Sequence, residues 1–273
     1  MRTRVLGYGL LALAILVSAI SALGPFLADV IHYRTSATTL NQIVGGDAAA
    51  LLVVAPVCLV AAVLAFHEHP AAPVVALAPA CYAAYTYTQL IVGQEYLRLP
   101  GNNERFFPLL LAGFMAGGGV AITAWSMIKP GLLPAPGPTL RRVTATVLTA
   151  VAVFLLAQHL PSLMDAWRDT PTVVSYVSSP TPFWLVKLMD LGIIVPLAAS
   201  TAVGLARHRA WASRPAFAII GSYTLIGASV AGMAITMLLN RDPDASVGLT
   251  AGFVAFTLAF AALWTVQFRN LSR

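Results

Sequence analysis

Eight apolar stretches, each 18–25 residues long, make up most of this 273-residue chain. An α-helix rises about 1.5 Å per residue, so about 20 apolar residues cross the roughly 30 Å hydrocarbon core of a bilayer. Turn-forming sequences, including HEHPAAP, LPGNNER, KPGLLPAPGP and NRDPDAS, separate the stretches. The pattern therefore predicts an all-α polytopic transmembrane bundle of eight spans. The predicted spans are Val5–Ala28, Ala48–Phe66, Pro73–Gly93, Phe106–Ile128, Val143–Leu160, Phe183–Ala206, Pro215–Leu239 and Gly248–Phe268.

The composition indicates the same fold class. Hydrophobic residues make up 59% of the chain and charged residues only 10%, whereas a soluble domain carries about 25% charged residues. The strands of a membrane barrel are segments of about 10 residues with alternating polarity, and the stretches here are longer and apolar all round. The net charge of +6 is not arranged in basic patches with interleaved aromatics, so we predict no nucleic-acid partner. We expect one integral membrane domain over residues 1–273.

The first two spans begin with different signals. Arg2 and Arg4 precede an apolar run, as in a signal peptide, but the run is long and Pro25 follows its small residues. We therefore expect an uncleaved first span. Asp47 directly precedes the second predicted span and is of a residue type that caps helix N-termini. We predict that Asp47 is the N-cap of that span.

Basic residues are distributed unequally between the two sets of loops. If the N-terminus lies in the cytoplasm, ten basic residues and one acid, Glu68, fall on that side. The opposite side then holds five basic and eight acidic residues. Because basic loops are retained in the cytoplasm, we predict a multi-pass protein of the cytoplasmic (inner) membrane with both termini in the cytoplasm. The ten basic residues are Arg2, Arg4, Lys129, Arg141, Arg142, Arg207, Arg209, Arg214, Arg269 and Arg273.

The second and sixth predicted spans can be aligned with each other. Pro56 matches Pro196, and the similar sequences AVLAFH and AVGLARH follow them. We predict a 4+4 parallel internal repeat with halves 1–140 and 141–273, related by an axis along the membrane normal. Spans rich in alanine and valine also align through composition alone, so coincidence is the alternative. In a repeat, paired broken helices point to a binding site near their crossing.

Two charged residues, Lys187 and Asp190, lie inside the sixth predicted span. Charged side chains in a span are costly unless they are paired or hydrated, so they indicate a functional site. Their separation of three residues places them on one helical face, close enough to pair. The alternative is a structural pair that locks this helix against a neighbour.

The third predicted span carries a second polar stripe. Tyr82, Tyr85 and Gln89 recur at helical spacing toward its outer end. Tyrosines near the membrane surface often form only an aromatic belt, which is the alternative. Tyr82 and Gln89 lie deeper than a belt requires, so we expect them to meet Lys187 or Asp190 within the bundle. The outer mouth is expected to be acidic, with Asp29, His32, Asp47, Glu95, Asn102, Asn103 and Glu104 around it.

The cysteines and histidines do not form a recognisable cofactor site. Cys58 and Cys81 lie within predicted spans without CxxC or metal-ligand spacing, which indicates buried thiols. Haem ligands face each other from neighbouring helices, and only His32 and His159 are placed to attempt this. We predict no cofactor and no metal.

The tyrosine-rich third span and the pattern Lys187-x-x-Asp190-x-Gly192-x-x-x-Pro196 resemble a group of multi-span bacterial membrane proteins with actinobacterial-like composition. This resemblance implies a shared fold. It brings no activity, cofactor or substrate with it.

Three functions are compatible with these features. The leading hypothesis is binding or transport of a small solute or ion through an outward-facing intramembrane polar site formed by Lys187, Asp190, Tyr82, Tyr85 and Gln89. The second is a subunit or assembly factor of a larger membrane complex, with a membrane-protein partner or a homo-oligomer. The third is a membrane enzyme acting on a lipid-linked or quinone substrate, with Asp190 or Glu95 as general acid or base. The sequence has no Walker loop, HExxH or GxSxG motif.

Overall fold

A computed structural model describes residues 1–129, 133 and 136–269. The predicted all-α polytopic bundle is confirmed, because these residues include eight helices that are long and apolar enough to cross a membrane. Part of the predicted KPGLLPAPGP linker and the predicted cytoplasmic Arg273 lie outside the described residues. The eight helices are α1 (Arg2–Leu23), α2 (Ala37–Phe66), α3 (Ala72–Val92), α4 (Asn103–Met127), α5 (Pro138–Ala166), α6 (Pro180–Ala206), α7 (Ala210–Leu239) and α8 (Val247–Arg269).

Helix α2 begins well before the predicted second span. Ser36 is its N-cap, with a hydroxyl that accepts a hydrogen bond from the Thr39 N–H at 3.3 Å. Asp47 is therefore not an N-cap, and that prediction is wrong. The first turns of α2 are polar, so hydropathy gives no sign of them, but they are helical because they pack against α7. At this contact the backbones of Gly45 and Gly232 approach too closely for a side chain at either position.

Helices α2 and α6 are each interrupted by a π-helical segment. The segments are Ala50–Val54 and Asp190–Ile194, and Pro56 and Pro196 follow at the second position of the next α-helical turn. A proline ring clashes with the carbonyl four residues earlier in a regular α-helix and leaves that carbonyl without its donor. A π-bulge accommodates this local misfit. The two prolines therefore mark two irregular helices, as expected from the sequence. In both helices the irregularity is a π-helical turn, which is wider than an α-helical turn.

The loops between the helices form two ends of different charge. We call the end formed by residues 24–36, 93–102, 167–179 and 240–246 the acidic end, and the other the basic end. Contacts tie the loops of the acidic end together: the Asn102 amide donates to the Val30 carbonyl at 3.0 Å, and Arg34 Nε donates to Glu104 at 2.9 Å. At the basic end Thr3 Oγ1 lies 3.5 Å from Glu68 Oε1.

Several helix contacts correspond between the two halves, although α1 also packs against α4 while no contact of similar extent joins α5 to α8 among the described residues. The pair α1–α2 corresponds to α5–α6, α3–α4 to α7–α8, and α2–α7 to α3–α6, while α3 and α7 contact each other at the centre. Accordingly α3 and α7 are the most buried helices and α8 the most exposed. This arrangement is compatible with the 4+4 repeat, whose halves 1–140 and 141–273 remain a prediction. Residues near the centre form the core, including Leu13, Val17, Val54, Leu77, Ile220 and Leu225.

Candidate functional site

A cavity of about 660 Å³ lies between six of the helices, α1, α2, α3, α5, α6 and α7, and extends to the loops of the acidic end. Its volume is in the range of cavities that hold small molecules, about 300–1,000 Å³. Part of the wall is apolar, with Ile20, Ile43 and Met233. The polar residues that matter most for its chemistry are Asp47, Gln89, Gln94, His159, Ser179 and Lys187.

Lys187 lies on the cavity wall and is only 8% exposed. Its ammonium Nζ lies 3.3 Å from the centroid of the Phe183 ring, one helical turn earlier on α6. Among the described residues no carboxylate lies within 4.0 Å of it. The predicted direct pairing of Lys187 with Asp190 is therefore wrong, because Asp190 begins the π-helical segment and bonds to residues of other helices.

Asp190 is buried and joins three helices. Its Oδ1 accepts a hydrogen bond from the Tyr85 hydroxyl of α3 at 2.8 Å. Its Oδ2 lies 2.8 Å from Nε2 of His159 on α5. Both carboxylate oxygens are therefore satisfied, and a protonated His159 would balance the charge. His159 lines the cavity, whereas Asp190 and Tyr85 lie outside its lining.

Asp47 lines the same cavity from α2 and is 5% exposed. Ser21 of α1 interacts with the carboxylate, but Oδ2 has no hydrogen-bond partner among the described residues. That oxygen lies against Gly24 at the end of α1, where a side-chain Cβ would clash with it. A glycine at this position lets the carboxylate sit within the bundle, and no basic side chain of the described chain neutralises it.

Two further polar atoms on the cavity wall are buried without a partner among the described residues. They are Oε1 of Gln94, at the acidic end of α3, and Oγ of Ser179, just before α6. A buried polar group left unpaired costs about 1–3 kcal/mol. Together with Asp47 and Lys187, these atoms give the cavity both charge and hydrogen-bonding capacity that the protein itself does not use.

The structure brings three of the five predicted site residues to the cavity. Lys187, Tyr82 and Gln89 line it. The Tyr82 hydroxyl lies 3.4 Å from Ser229 Oγ of α7, so this tyrosine also connects α3 to α7. Tyr85 and Asp190 form the hydrogen-bonded pair behind the wall. An aromatic belt does not describe Tyr82 or Tyr85, since both hydroxyls contact other helices.

Glu95 of the predicted mouth, and Asp242 at the acidic end, are occupied by structural contacts. Glu95 Oε1 accepts a hydrogen bond from the Thr181 N–H at 2.7 Å, which satisfies a free donor in the first turn of α6. Asp242, beyond the end of α7, accepts a hydrogen bond from the Asn41 amide at 2.8 Å. Burial alone would raise the pKa of Asp242, but hydrogen bonds from Asn41, the Asp244 N–H and Thr38 outweigh it and hold that pKa below its ordinary value. These carboxylates hold the helices and loops together.

The two histidines considered as haem ligands have separate partners. His32 lies 3.8 Å from Asp29 on the surface, and His159 binds Asp190. Cys58 and Cys81 are free thiols. Among the described residues no group of three or more His, Cys, Asp or Glu side chains is placed to hold a metal ion.

Sequence reasoning did not include two ionisable residues of the cavity, Asp47 and His159, among the predicted site residues. Asp47 was assigned to a helix end and to the outer mouth, and His159 was considered only as a haem ligand. A signal for Asp47 was present, because aligning Pro56 with Pro196 places Asp47 opposite Lys187. No comparable signal pointed to His159, whose partner is 31 residues away on another helix.

Comparison with known proteins does not add a relative. No family model matches the chain, and neither a curated protein nor a solved structure matches it. The interpretation of the cavity therefore depends on its own residues.

Proposed function

We propose that this polytopic membrane protein binds a small polar solute in the cavity between its helices, as a step in moving that solute into or across the membrane. The observation that carries the proposal is Lys187, a buried lysine on the cavity wall with no carboxylate within 4.0 Å among the described residues. Its contact with the Phe183 ring contributes about 0.5–2 kcal/mol. Transfer of an ammonium group out of water costs several kcal/mol, so the contact offsets only part of it. An electronegative ligand group would supply the remaining stabilisation of the buried ammonium group.

The excess of basic residues at one end supports an orientation for this site. Because basic loops are retained in the cytoplasm, we place the basic end in the cytoplasm and the protein in the cytoplasmic membrane. The cavity, which extends to the loops of the acidic end, then opens outward. A solute would reach Lys187 from outside the cell.

Transport is favoured over simple binding by the two interrupted helices. Secondary transporters often place their substrate beside discontinuous helices at the interface of two repeats, and the repeats move relative to each other. Here both interrupted helices, α2 and α6, contribute to the cavity wall, Asp47 from one and Lys187 from the other. Two irregular turns give the bundle two places where a helix can bend.

A ligand screen tests the binding proposal. We would purify the protein in mild detergent and measure its melting temperature against small anions, cations and zwitterionic metabolites. A ligand at 100 times its dissociation constant stabilises the folded state by about 2.7 kcal/mol. The expected result is stabilisation by at least one solute class in wild type and not in Lys187→Met.

The chain provides a matched control for this screen. Lys129, the other lysine of the sequence, is exposed at the basic end, and Lys129→Met is expected to respond as wild type does. No response in wild type, or an equal response in Lys187→Met, would overturn the proposal. A stoichiometric membrane partner without any ligand response would instead support the complex-subunit function.

A further inference from the structure

Helices α2 and α6 have the same succession of backbone conformations at equivalent positions. Each has a five-residue π-helical segment, Ala50–Val54 in α2 and Asp190–Ile194 in α6, followed at once by an α-helical part with proline at its second position. This correspondence continues to the C-terminal end of both helices and needs no gap.

The ends of the two helices have the same turn. Glu68 and His208 both adopt left-handed backbone conformations, with φ of 54° and 56°. The next residue then donates back into the helix, His69 N–H to the Leu64 carbonyl at 2.9 Å and Arg209 N–H to the Gly204 carbonyl at 2.8 Å. This is the hydrogen bond of a Schellman motif. The same turn ends α7 at Arg241, so the register comes from the π-helical segments, and the turns agree with it by matching Glu68 with His208.

In this register Asp47 and Lys187 occupy equivalent positions. Each lies three residues before the first residue of its π-helical segment. Both line the cavity between the helices, and both are at least nine-tenths buried. One is a carboxyl and the other an amino group, and within the described residues neither has a partner of opposite charge type within 4.0 Å.

The other two ionisable groups of this region are bonded to each other. His159 on the wall lies 2.8 Å from the Asp190 carboxylate, so each is the other's partner. The buried charges left for a ligand are therefore one cation from α6 and one carboxylate from α2. Buried charges are stable only when they are paired or hydrogen-bonded, and a ligand that carries one charge of each sign would pair both.

We propose that the cavity binds a zwitterionic solute of the amino-acid type, with its anionic group on Lys187 and its ammonium group on Asp47. This inference rests on the proposed function and names its ligand class. Ser179 and Gln94 line the same cavity, and each has a buried polar atom without a partner among the described residues. Because one charge comes from each interrupted helix, the ligand would hold α2 and α6 together across the cavity.

The test compares three forms of one probe. The twenty standard amino acids are screened by thermal shift, and the best is retested as its carboxamide, which lacks the anionic group, and as its N-acetyl derivative, which lacks the ammonium group. In wild type both modified forms are expected to bind at least tenfold more weakly than the free amino acid. This comparison needs no variant, so it holds even if a variant fails to fold.

Two substitutions then assign the two ends of the ligand. Lys187→Met is expected to lose the response to the free amino acid and to the N-acetyl derivative alike. Asp47→Asn is expected to bind the two with similar apparent affinity, because it no longer recognises the ammonium group. Asp169→Asn, an exposed change in a loop of the acidic end, serves as the control and is expected to match wild type.

Failure of this inference can be distinguished from failure of the proposed function. Wild type could respond equally to the free amino acid and its N-acetyl derivative, with Asp47→Asn leaving that pattern unchanged. In that case the assignment of a zwitterionic ligand is wrong, and the proposal of a cavity that binds an anion is retained. If simple cations stabilise wild type and Asp47→Asn abolishes this while Lys187→Met does not, the assignment is also wrong. If no solute of any class stabilises wild type, both proposals fail.

Discussion

The charged side chains of the acidic end differ from those of the cavity wall in their contacts with other groups of the protein. At the acidic end Glu95 satisfies the start of α6, Asp242 accepts from Asn41, and Arg34 holds Glu104. On the cavity wall Lys187 and Asp47 are also buried, yet among the described residues neither has an oppositely charged group within 4.0 Å. Partnered charges stabilise a structure, whereas unpartnered buried charges reduce its stability and remain available to a ligand. The comparison therefore separates the residues that hold the bundle together from those that we expect to bind.

The largest effect on stability is expected where a buried, fully bonded charge is removed. Asp190→Ala would leave the Tyr85 hydroxyl and His159 without their acceptor. Breaking a buried pair in this way costs about 3–5 kcal/mol. Thermal unfolding of the ligand-free protein measures it, with the exposed Asp169→Ala as a control that should unfold like wild type. An unchanged melting temperature in Asp190→Ala would show that the Asp190 carboxylate does not stabilise the folded protein.

A smaller loss is expected at the start of α6. Glu95→Ala would leave the half-buried Thr181 N–H without its acceptor, and the loss of such a hydrogen bond costs about 0.5–1.5 kcal/mol. The neighbouring Arg98 is half exposed and lies 3.7 Å from Glu95, so Arg98→Ala should change stability much less. Equal melting temperatures for the two variants would show that Glu95 acts through the ion pair and not as a cap.

The cavity charges are expected to behave in the opposite way. Asp47→Asn and Lys187→Met each remove a buried ionisable group with no oppositely charged partner within 4.0 Å among the described residues. The ligand-free protein should therefore be as stable as wild type or more stable by about 0.5–2 kcal/mol. The same variants should lose ligand response. Thermal unfolding with and without ligand separates the two effects. Destabilisation of the ligand-free protein by both variants would mean that these charges are structural after all.

The smallest effect concerns pH at the acidic end. The pKa of Asp242 is held below its ordinary value, so its hydrogen bonds stabilise the folded state above the unfolded-state pKa. This contribution is lost as the pH falls through the lower folded-state pKa. Asn41→Ala removes the amide donor and should narrow the difference in stability between neutral and acidic pH. A pH profile identical to that of wild type would exclude Asp242 as a contributor.

The fold could be predicted from the sequence because runs of about 20 apolar residues have few alternatives to membrane spans. Individual helix ends could not be predicted in the same way. The start of α2, for example, is polar, and Ser36 and packing against α7 determine it. The error at Asp47 has this cause. Hydropathy locates apolar segments and says nothing of polar turns that pack within the bundle.

The candidate site was predicted in part. Lys187, Tyr82 and Gln89 were found because a charge or a polar stripe inside a span is unusual. The pairing of Lys187 with Asp190 was inferred from helical spacing, which assumes a regular helix and ignores other helices. A π-helical segment begins at Asp190, and its partners come from α3 and α5. Such contacts depend on tertiary packing, which spacing within one helix does not reveal.

The most direct test of the account is an experimental structure of the protein in lipid nanodiscs with the best amino acid of the thermal-shift screen bound at saturation. The account predicts ligand density inside the cavity, with its carboxylate within hydrogen-bond distance of Lys187 Nζ and its ammonium group next to Asp47. Density outside the cavity, or a Lys187 side chain bonded to a carboxylate of the protein while the ligand is bound elsewhere, would contradict it.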